Sequence, residues 1–210
     1  RTLGEKLRIE LELSHQPVLP ATETLTLISR RDFGAEVQAP TAILRFAPPP
    51  VTLWQRLTGT GFARFSAGDL IGVLPEGSAV PRLYSLASSR RDGFVEIVVK
   101  KHPGGLCSGQ LSGLKPGDSV MAFLRRNPGF HPGRGYAPLI LIGAGTGIGP
   151  LAGFVRGNAG RRPIHLFFGM RDPRSDFFYG EDLPGWQVAG RLSRLVTTVS
   201  RGARPHYVQD

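Results

Sequence analysis

Hydrophobic and polar residues alternate in several short stretches of the first part of the chain, and glycines and prolines separate these stretches. Alternation of this kind predicts half-buried β-strands. Because the stretches are short and turns are frequent, they predict an antiparallel β-barrel over residues 1–132. The stretches are Leu7 to Leu13, Leu25 to Ser29, Ala42 to Phe46, Val95 to Val99 and Ser119 to Leu124.

The pattern changes after a linker rich in glycine and proline, Asn127 to Gly135. Continuous apolar runs at Leu139 to Ile142, Ile164 to Phe168 and Leu195 to Val199 are typical of buried parallel strands, and Leu151 to Val155 suits a helix. This alternation predicts a doubly wound parallel α/β domain over residues 136–210, with ligands at the carboxyl ends of its strands. The expected fold class is therefore β followed by α/β.

Composition narrows the choice of partners. The 210 residues carry a formal net charge of +10, mostly on arginine, which favours an acidic partner. The arginines are dispersed and not interleaved with aromatic residues, so nucleic acid is not the expected partner. One cysteine argues against a disulfide framework, no apolar run reaches membrane-spanning length, and we predict no metal site.

The most informative stretch is Arg82 to Ser88, which reads Arg-Leu-Tyr-Ser-Leu-Ala-Ser. In an extended strand Arg82 and Tyr84 project to one face, and Leu83 and Ser85 to the other. A guanidinium matches pyrophosphate oxygens, and a tyrosine ring can cover a flavin. The alternative is an ordinary barrel strand with one surface arginine and one interior tyrosine.

Two glycine-rich segments follow. Gly104 to Ser108 can approach an anion with its backbone, although it can equally be a simple turn between strands. Gly143 to Pro150 lies between a predicted strand and a predicted helix, which is the context of a nucleotide-binding loop, and Pro150 suits a first helical turn. It departs from the usual dinucleotide fingerprint because Pro150 stands where a third glycine is expected.

These segments resemble the ferredoxin-NADP reductase superfamily, and within it the sulfite reductase flavoprotein and cytochrome P450 reductase branch. The resemblance covers about Gly68 to Asp210 in the family's order, while the first sixty or so residues match loosely. Its blocks are Pro81 to Ser89, Gly105 to Ser108, Gly145 to Pro150, and Ser200-Arg201 with Tyr207 to Gln209; lesser matches are Asn127 to Phe130 and Phe168 to Arg171 with Asp176 and Tyr179.

The resemblance implies an FAD site in the first domain. In this analogy Arg82 holds the pyrophosphate, Tyr84 stacks on the isoalloxazine or bonds the ribityl chain, and Ser85 lies near N5, where hydride arrives, as the catalytic residue. Cys107 is expected to pack rather than react, and Lys100 is otherwise a solvated strand end. The complete implied set is Arg82, Leu83, Tyr84, Ser85, Val98, Val99, Lys100, Gly105, Leu106, Cys107 and Ser108.

The resemblance also implies an NADPH site in the second domain. Thr146 is expected near the phosphates or the nicotinamide, Ser200 and Arg201 at the 2′-phosphate, and Tyr207 with Gln209 at the adenine end. The alternative for Ser200 and Arg201 is a plain polar loop. The family often has a lysine where this chain has Pro205, for which Arg204 is the candidate replacement.

The expected function is transfer of hydride from NADPH to FAD and then of single electrons to an acidic acceptor, such as a flavodoxin-like FMN domain, an iron–sulfur protein or a haem protein. Two alternatives are a basic docking module without redox activity and a reductase of ferric chelates or quinones. The chain looks cut at both ends, so that the second domain is expected to lack its last strands and to expose an apolar edge. We expect a cytoplasmic location, or the cytoplasmic face of a membrane if an anchor lies outside the chain.

Overall fold

The computed structural model describes residues 20–133, 135–201 and 205–210. The predicted strand Leu7 to Leu13, the linker residue Arg134 and Arg204 therefore lie outside the described residues. Within them, six strands form one antiparallel sheet and three later strands form one parallel sheet. This order of sheets confirms the expected β followed by α/β fold class.

The antiparallel sheet has the strand order β4-β3-β6-β1-β2-β5. Its strands are β1 (Glu23–Phe33), β2 (Thr41–Ala47), β3 (Leu70–Leu74), β4 (Arg82–Ser85), β5 (Val95–Lys100) and β6 (Ser119–Arg125). The two edge strands approach each other where the Ala87 amide, just beyond β4, donates to the Glu96 carbonyl of β5 at 2.8 Å. The sheet thus bends back on itself as a barrel does.

Side-chain alternation in β5 explains how this sheet meets the rest of the chain. Its odd-numbered residues Val95, Ile97 and Val99 are fully buried in the core of the antiparallel sheet. Its even-numbered residues point to the opposite face. That face is also covered, since Glu96 is fully buried and Val98 is 9% exposed.

Four helices complete the described structure: α1 (Leu53–Thr58), α2 (Leu106–Gly113), α3 (Ile148–Arg156) and α4 (Leu183–Val188). The segment Gly104 to Ser108 is therefore not a loop throughout, because α2 begins at Leu106. No helix among the described residues combines the length and the apolar character needed to cross a membrane.

The parallel sheet has the order β7-β8-β9, with β7 (Leu139–Ala144), β8 (Ile164–Met170) and β9 (Arg194–Val199). A 3-10 turn, Gly145–Gly147, joins β7 to α3, so the predicted strand, glycine loop and helix are all present. Pro150 stands in the first turn of α3, as expected. Strand β7 lies at the edge of this sheet, and two of its apolar residues are largely exposed, Ile140 at 64% and Ile142 at 61%.

Helix α3 packs directly against the antiparallel sheet through two glycines. A Cβ on Gly149 would lie 2.9 Å from a methyl group of Val98, and one on Gly153 would lie 2.6 Å from the Ala87 carbonyl oxygen. Both distances are shorter than real Cβ contacts. The glycines therefore allow an approach between the two sheets that any larger residue would prevent.

The linker between the sheets is anchored on one buried carboxylate. Asp69 is 1% exposed, and its Oδ1 accepts from the Asn127 backbone amide at 3.1 Å and lies 3.1 Å from His131 Nε2, while its Oδ2 accepts from the Arg126 guanidinium at 3.0 Å. The Asp69 carbonyl accepts in turn from the Leu86 amide at 2.7 Å. Asp69 thus holds the start of the linker at Asn127 close to Leu86, the residue that follows β4.

Candidate functional site

The first candidate site is a cleft of about 410 Å³ between β4 and the start of α2. Residues from both segments that the resemblance assigned to FAD line it, so the structure brings these two segments together. The predicted residues on its wall are Arg82, Tyr84, Gly105, Leu106, Cys107 and Ser108.

Strand pairing decides which residues of β4 face this cleft. Arg82 pairs with Val73 and Tyr84 with Ile71, and both side chains line the cleft. Leu83 and Ser85 belong to the opposite face of the strand. Leu83 is 43% exposed and Ser85 is half-buried, and neither lines the cleft.

Arg82 is available to an anion. Among the residues that the structure describes, no carboxylate lies within 4 Å of its guanidinium. Opposite it, α2 begins at Leu106 after the N-cap residue Gly105, without a side-chain cap and without an acidic residue in its first turn. The first amides of a helix have no partner within the helix, and its dipole favours negative charge there. A diphosphate matches both groups.

The hydroxyl of Ser108 does not contribute as expected. It donates to the Gly105 carbonyl at 3.3 Å and accepts from the His102 amide at 3.2 Å, so it closes the turn before α2. The anion-binding groups on this side of the cleft are therefore the backbone amides. Gly104 has a φ of +68° with open space beside it, as a close approach of the backbone to a ligand requires.

Tyr84 and Cys107 face each other in the cleft and stay neutral. Burial, assisted by the hydrogen bond and charge coupling to Cys107, raises the pKa of the Tyr84 phenol well above its ordinary value. Burial likewise raises the pKa of the Cys107 thiol, which is 4% exposed. A neutral, buried thiol is a poor nucleophile, in line with the packing role expected for Cys107.

The second candidate site is a cleft of about 370 Å³ at the carboxyl ends of β7, β8 and β9. This is where ligands bind in open parallel α/β sheets. Four residues that the resemblance assigned to the NADPH site line this cleft: Thr146, Ser200, Tyr207 and Gln209. Lys100, which the resemblance assigned to the FAD site, lines this second cleft and not the first.

The same cleft contains residues that were absent from the predicted set. Arg171 and His206 line it, as does Thr198, whose buried hydroxyl has no hydrogen-bond partner among the described residues. An orphaned buried hydroxyl on the wall of a cleft fits a polar ligand. Arg171 stood in a lesser block of the resemblance, whereas Thr198 lies within an apolar run and gave no signal of its own.

Some predicted residues lie outside both clefts. Arg201 is exposed beyond the wall of the second cleft. Val99 is buried in the core of the antiparallel sheet, and Val98 packs against α3 at Gly149. A contact from either valine to a flavin would have to be made by its backbone.

The two clefts lie on either side of one strand end. Lys100, the last residue of β5, lines the second cleft, and His102 lines the first. Because Lys100 and His102 are two positions apart in the chain, their Cα atoms are at most about 7.6 Å apart. The walls of the two clefts therefore come close to each other at the end of β5.

A buried ionic cluster holds the two sheets in this arrangement. The carboxylate of Glu96 accepts from Arg156 at 2.7 Å, from Arg45 Nε at 2.5 Å and from the Tyr179 hydroxyl at 3.0 Å. Arg156 also donates to the Ala87 carbonyl at 2.9 Å. Since α3 starts at the glycine turn of the second cleft and Ala87 follows the strand of the first, this cluster connects both clefts.

Attraction to Glu96 raises the pKa of the Arg156 guanidinium, although desolvation acts in the opposite direction. Burial raises the pKa of the Tyr179 phenol far above its ordinary value, and the nearby Glu96 charge acts in the same direction. The cluster therefore holds a charged arginine and a neutral tyrosine over the working pH range.

Two known families match two separate parts of the chain, one for each cleft. The "Oxidoreductase FAD-binding domain" family matches residues 63–123, which include β3 to β5, most of β6 and the first cleft. The "Oxidoreductase NAD-binding domain" family matches residues 141–209, which include most of the residues that line the second cleft. The chain belongs to the ferredoxin-NADP reductase superfamily. It is thus an oxidoreductase module with sites for FAD and a nicotinamide nucleotide.

Similar proteins include human inducible nitric oxide synthase, 38% identical over 172 residues, with 70% of this chain and 15% of that protein covered. The NADPH sulfite reductase flavoprotein α-component of Vibrio vulnificus strain CMCP6 is 35% identical over 163 residues, covering 70% of this chain and 26% of that protein. The chain therefore spans about a quarter or less of these relatives.

Among solved structures, ferredoxin-NADP+ reductase from Plasmodium falciparum with 2′P-AMP superposes with a TM-score of 0.72 at 18% identity. The match covers 90% of this chain and 77% of that one. This likeness supports the fold described above.

Proposed function

We propose that the chain is the FAD- and NADPH-binding reductase module of an electron-transfer protein. The observation that carries the proposal is the closeness of the two clefts at the end of β5, where Lys100 lines the second cleft and His102 lines the first. We also propose the domain division made from the sequence, 1–132 and 136–210, because β6 ends at Arg125 and β7 begins at Leu139.

In this proposal, the residues of β4 and the start of α2 bind and orient the flavin. Arg82 and the first amides of α2 bind the FAD diphosphate, and the neutral Tyr84 covers part of the flavin. Ser85, on the opposite face of β4, is the candidate residue near N5. When bound, FAD supplies the chemistry, accepting hydride from NADPH and releasing single electrons; the protein supplies binding, orientation and exclusion of water.

The second cleft favours a phosphorylated nucleotide. The hydroxyls of Thr146, Thr198 and Ser200 line it together with the basic side chains of Lys100 and Arg171. Hydroxyls and a guanidinium suit the 2′-phosphate of NADPH, whereas an NAD site usually presents an acid to the free ribose. The acid that lines this cleft, Asp176, is 5% exposed, and its carboxylate accepts from the backbone amides of Arg171 and Asp172. The parasite reductase with the same fold was solved with 2′P-AMP, which carries such a phosphate.

The acceptor in this proposal is an acidic protein or an FMN domain, since the chain carries a net charge of +10. A cytoplasmic location stays a prediction. The proposal is tested with purified protein supplied with FAD: the reductase must retain flavin and oxidise NADPH faster than NADH with ferricyanide as acceptor. A protein that stays colourless would favour the non-redox docking module, and activity restricted to small acceptors would favour the ferric chelate or quinone reductase.

A further inference from the structure

Helix α1 is well formed but buries nothing. The Thr52 hydroxyl accepts from the Gln55 amide at 3.2 Å, and the Gln55 side chain accepts in return from the Thr52 amide at 2.8 Å, which makes a complete capping box. Gly59 ends the helix in the left-handed conformation. Caps, rather than burial of an apolar face, therefore hold this short helix.

The apolar side chains of α1 project into solvent. Leu53 is 74% exposed, Trp54 72% and Leu57 74%, and no residue of the helix is buried. Spacing of three and four residues places Leu57 beside both of the others on the helix surface. Three large apolar side chains on one capped turn form a contiguous exposed patch, which is typical of an interaction site.

Arginines surround this patch. Arg56 lies on the helix, the Arg64 side chain lies against Gly59, and Arg126 donates to the Gly59 carbonyl at 3.3 Å. Two acids lie nearby: the Glu23 carboxylate is beside Gly61, and the buried Asp69 is paired with Arg126 at 3.0 Å. We call Leu53, Trp54, Leu57, Arg56, Arg64 and Arg126 the α1 patch.

The α1 patch lies close to the candidate flavin strand. Arg126 joins Gly59 to Asp69, and the Asp69 carbonyl holds the Leu86 amide, next to Ser85. In the sheet, Leu70 pairs with Ser85 on one side and with Arg125 on the other. Neighbouring strands are about 4.8 Å apart, so Arg125 and Ser85 lie roughly 10 Å from each other.

We propose that the α1 patch is the docking surface for an acidic, redox-active protein domain that receives electrons from this module. This inference rests on the proposed function and adds the surface and the chemistry of the partner to it. Trp and Arg dominate the energetics of protein interfaces, with apolar anchors at the centre and charges at the rim. A second copy of this chain is disfavoured, because it would bring the same arginines together.

The test uses flavodoxin, an acidic FMN protein, as the probe, with the FAD-loaded protein titrated in a calorimeter at low and at moderate salt. Trp54→Ser with Leu57→Ser removes the apolar centre, and Arg56→Glu with Arg64→Glu reverses two charges. None of these side chains is buried in the fold. The matched controls are Val188→Ser, which is 92% exposed, and Arg194→Glu, which is exposed on β9.

We expect both patch variants to weaken flavodoxin binding about tenfold or more, and added salt to weaken binding to the parent. The two controls should bind as the parent does. Reduction of ferricyanide by NADPH should be the same in all variants, because none of the substituted side chains lines either cleft. Loss of that reaction in the parent would instead contradict the proposed function.

Three results would overturn the docking proposal while ferricyanide reduction persists. The parent fails to bind flavodoxin, the patch variants bind it as tightly as the controls do, or the patch proves to have another occupant. Two experiments identify another occupant of the patch. Binding to phosphatidylserine vesicles that depends on Trp54 would show that the patch binds a membrane surface. Dimer formation in sedimentation that depends on Trp54 would show that the patch binds a second copy of this chain.

Discussion

Replacing Arg156 by methionine perturbs the contact on which the arrangement of the two clefts depends. The guanidinium is 11% exposed and donates to the fully buried Glu96 carboxylate and to the Ala87 carbonyl. Methionine keeps much of the apolar stem but removes both hydrogen bonds. Arg45 and Tyr179 remain on Glu96, so its charge loses the more buried of its two arginine partners without becoming isolated.

The structure sets the size of the expected effect. Removing one partner of a buried ion pair costs about 3–5 kcal/mol, because it leaves a desolvated charge behind. The two remaining partners of Glu96 place this case near the lower limit, at about 3 kcal/mol. For a chain of this length, that corresponds to a fall in Tm of roughly 6–12 °C.

Calorimetric and urea unfolding of the FAD-loaded protein measure this effect, with Arg174→Met as the matched control. Arg174 forms an ion pair with Asp172 at the surface, where its side chain is 84% exposed, and its loss should leave the Tm unchanged. Arg156→Met should also retain FAD yet be reduced more slowly by NADPH, because the clefts are no longer fixed to each other. Equal Tm values for the two variants would refute the structural role assigned to Arg156.

Three further outcomes are expected. Arg82→Ala should lose FAD on gel filtration, whereas Arg91→Ala, at an exposed arginine just beyond the same segment, should retain it; a normally yellow Arg82→Ala protein would remove the assignment of the first cleft. Thr198→Val should raise the KM for NADPH several-fold with little effect on FAD content, and an unchanged KM would place the nucleotide elsewhere. Because burial raises the pKa of Cys107 and Tyr84 in the folded state, their stabilising effect is present below the ordinary pKa values, about 8.5 for a thiol and about 10 for a phenol, and is lost as the pH rises above them. Unfolding free energy should therefore fall with alkaline pH, and less so in Cys107→Ala; an identical pH profile for the variant would contradict this.

Most of the strands could be predicted from the sequence, because the hydrophobic pattern of each of these strands is visible within its own short segment. Alternation identified parts of β1, β2, β5 and β6, and the continuous apolar runs identified β7, β8 and β9. Helix α1 was missed because six residues with solvent-exposed apolar side chains give no core-facing periodicity. Its signals were the capping pair Thr52 and Gln55 and the terminal Gly59, which become clear once the helix is known.

The site was predictable where residues follow each other along one strand or turn, as at Arg82 and Tyr84. Glu96 was missed for a physical reason. Alternation in β5 identifies it as facing away from the barrel core, which is correct, but only the tertiary structure shows that α3 and Tyr179 bury that face. Thr198 likewise gains meaning from three strand ends that the sequence does not bring together.

The central claim is that one chain brings FAD and NADPH together at the end of β5. The most direct measurement is the visible spectrum of the FAD-loaded protein during an anaerobic titration with NADPH and, separately, with NADH. The account predicts protein-bound flavin bands that NADPH bleaches readily and NADH bleaches slowly. Protein that binds no flavin, or bound flavin that NADPH leaves oxidised, would contradict it.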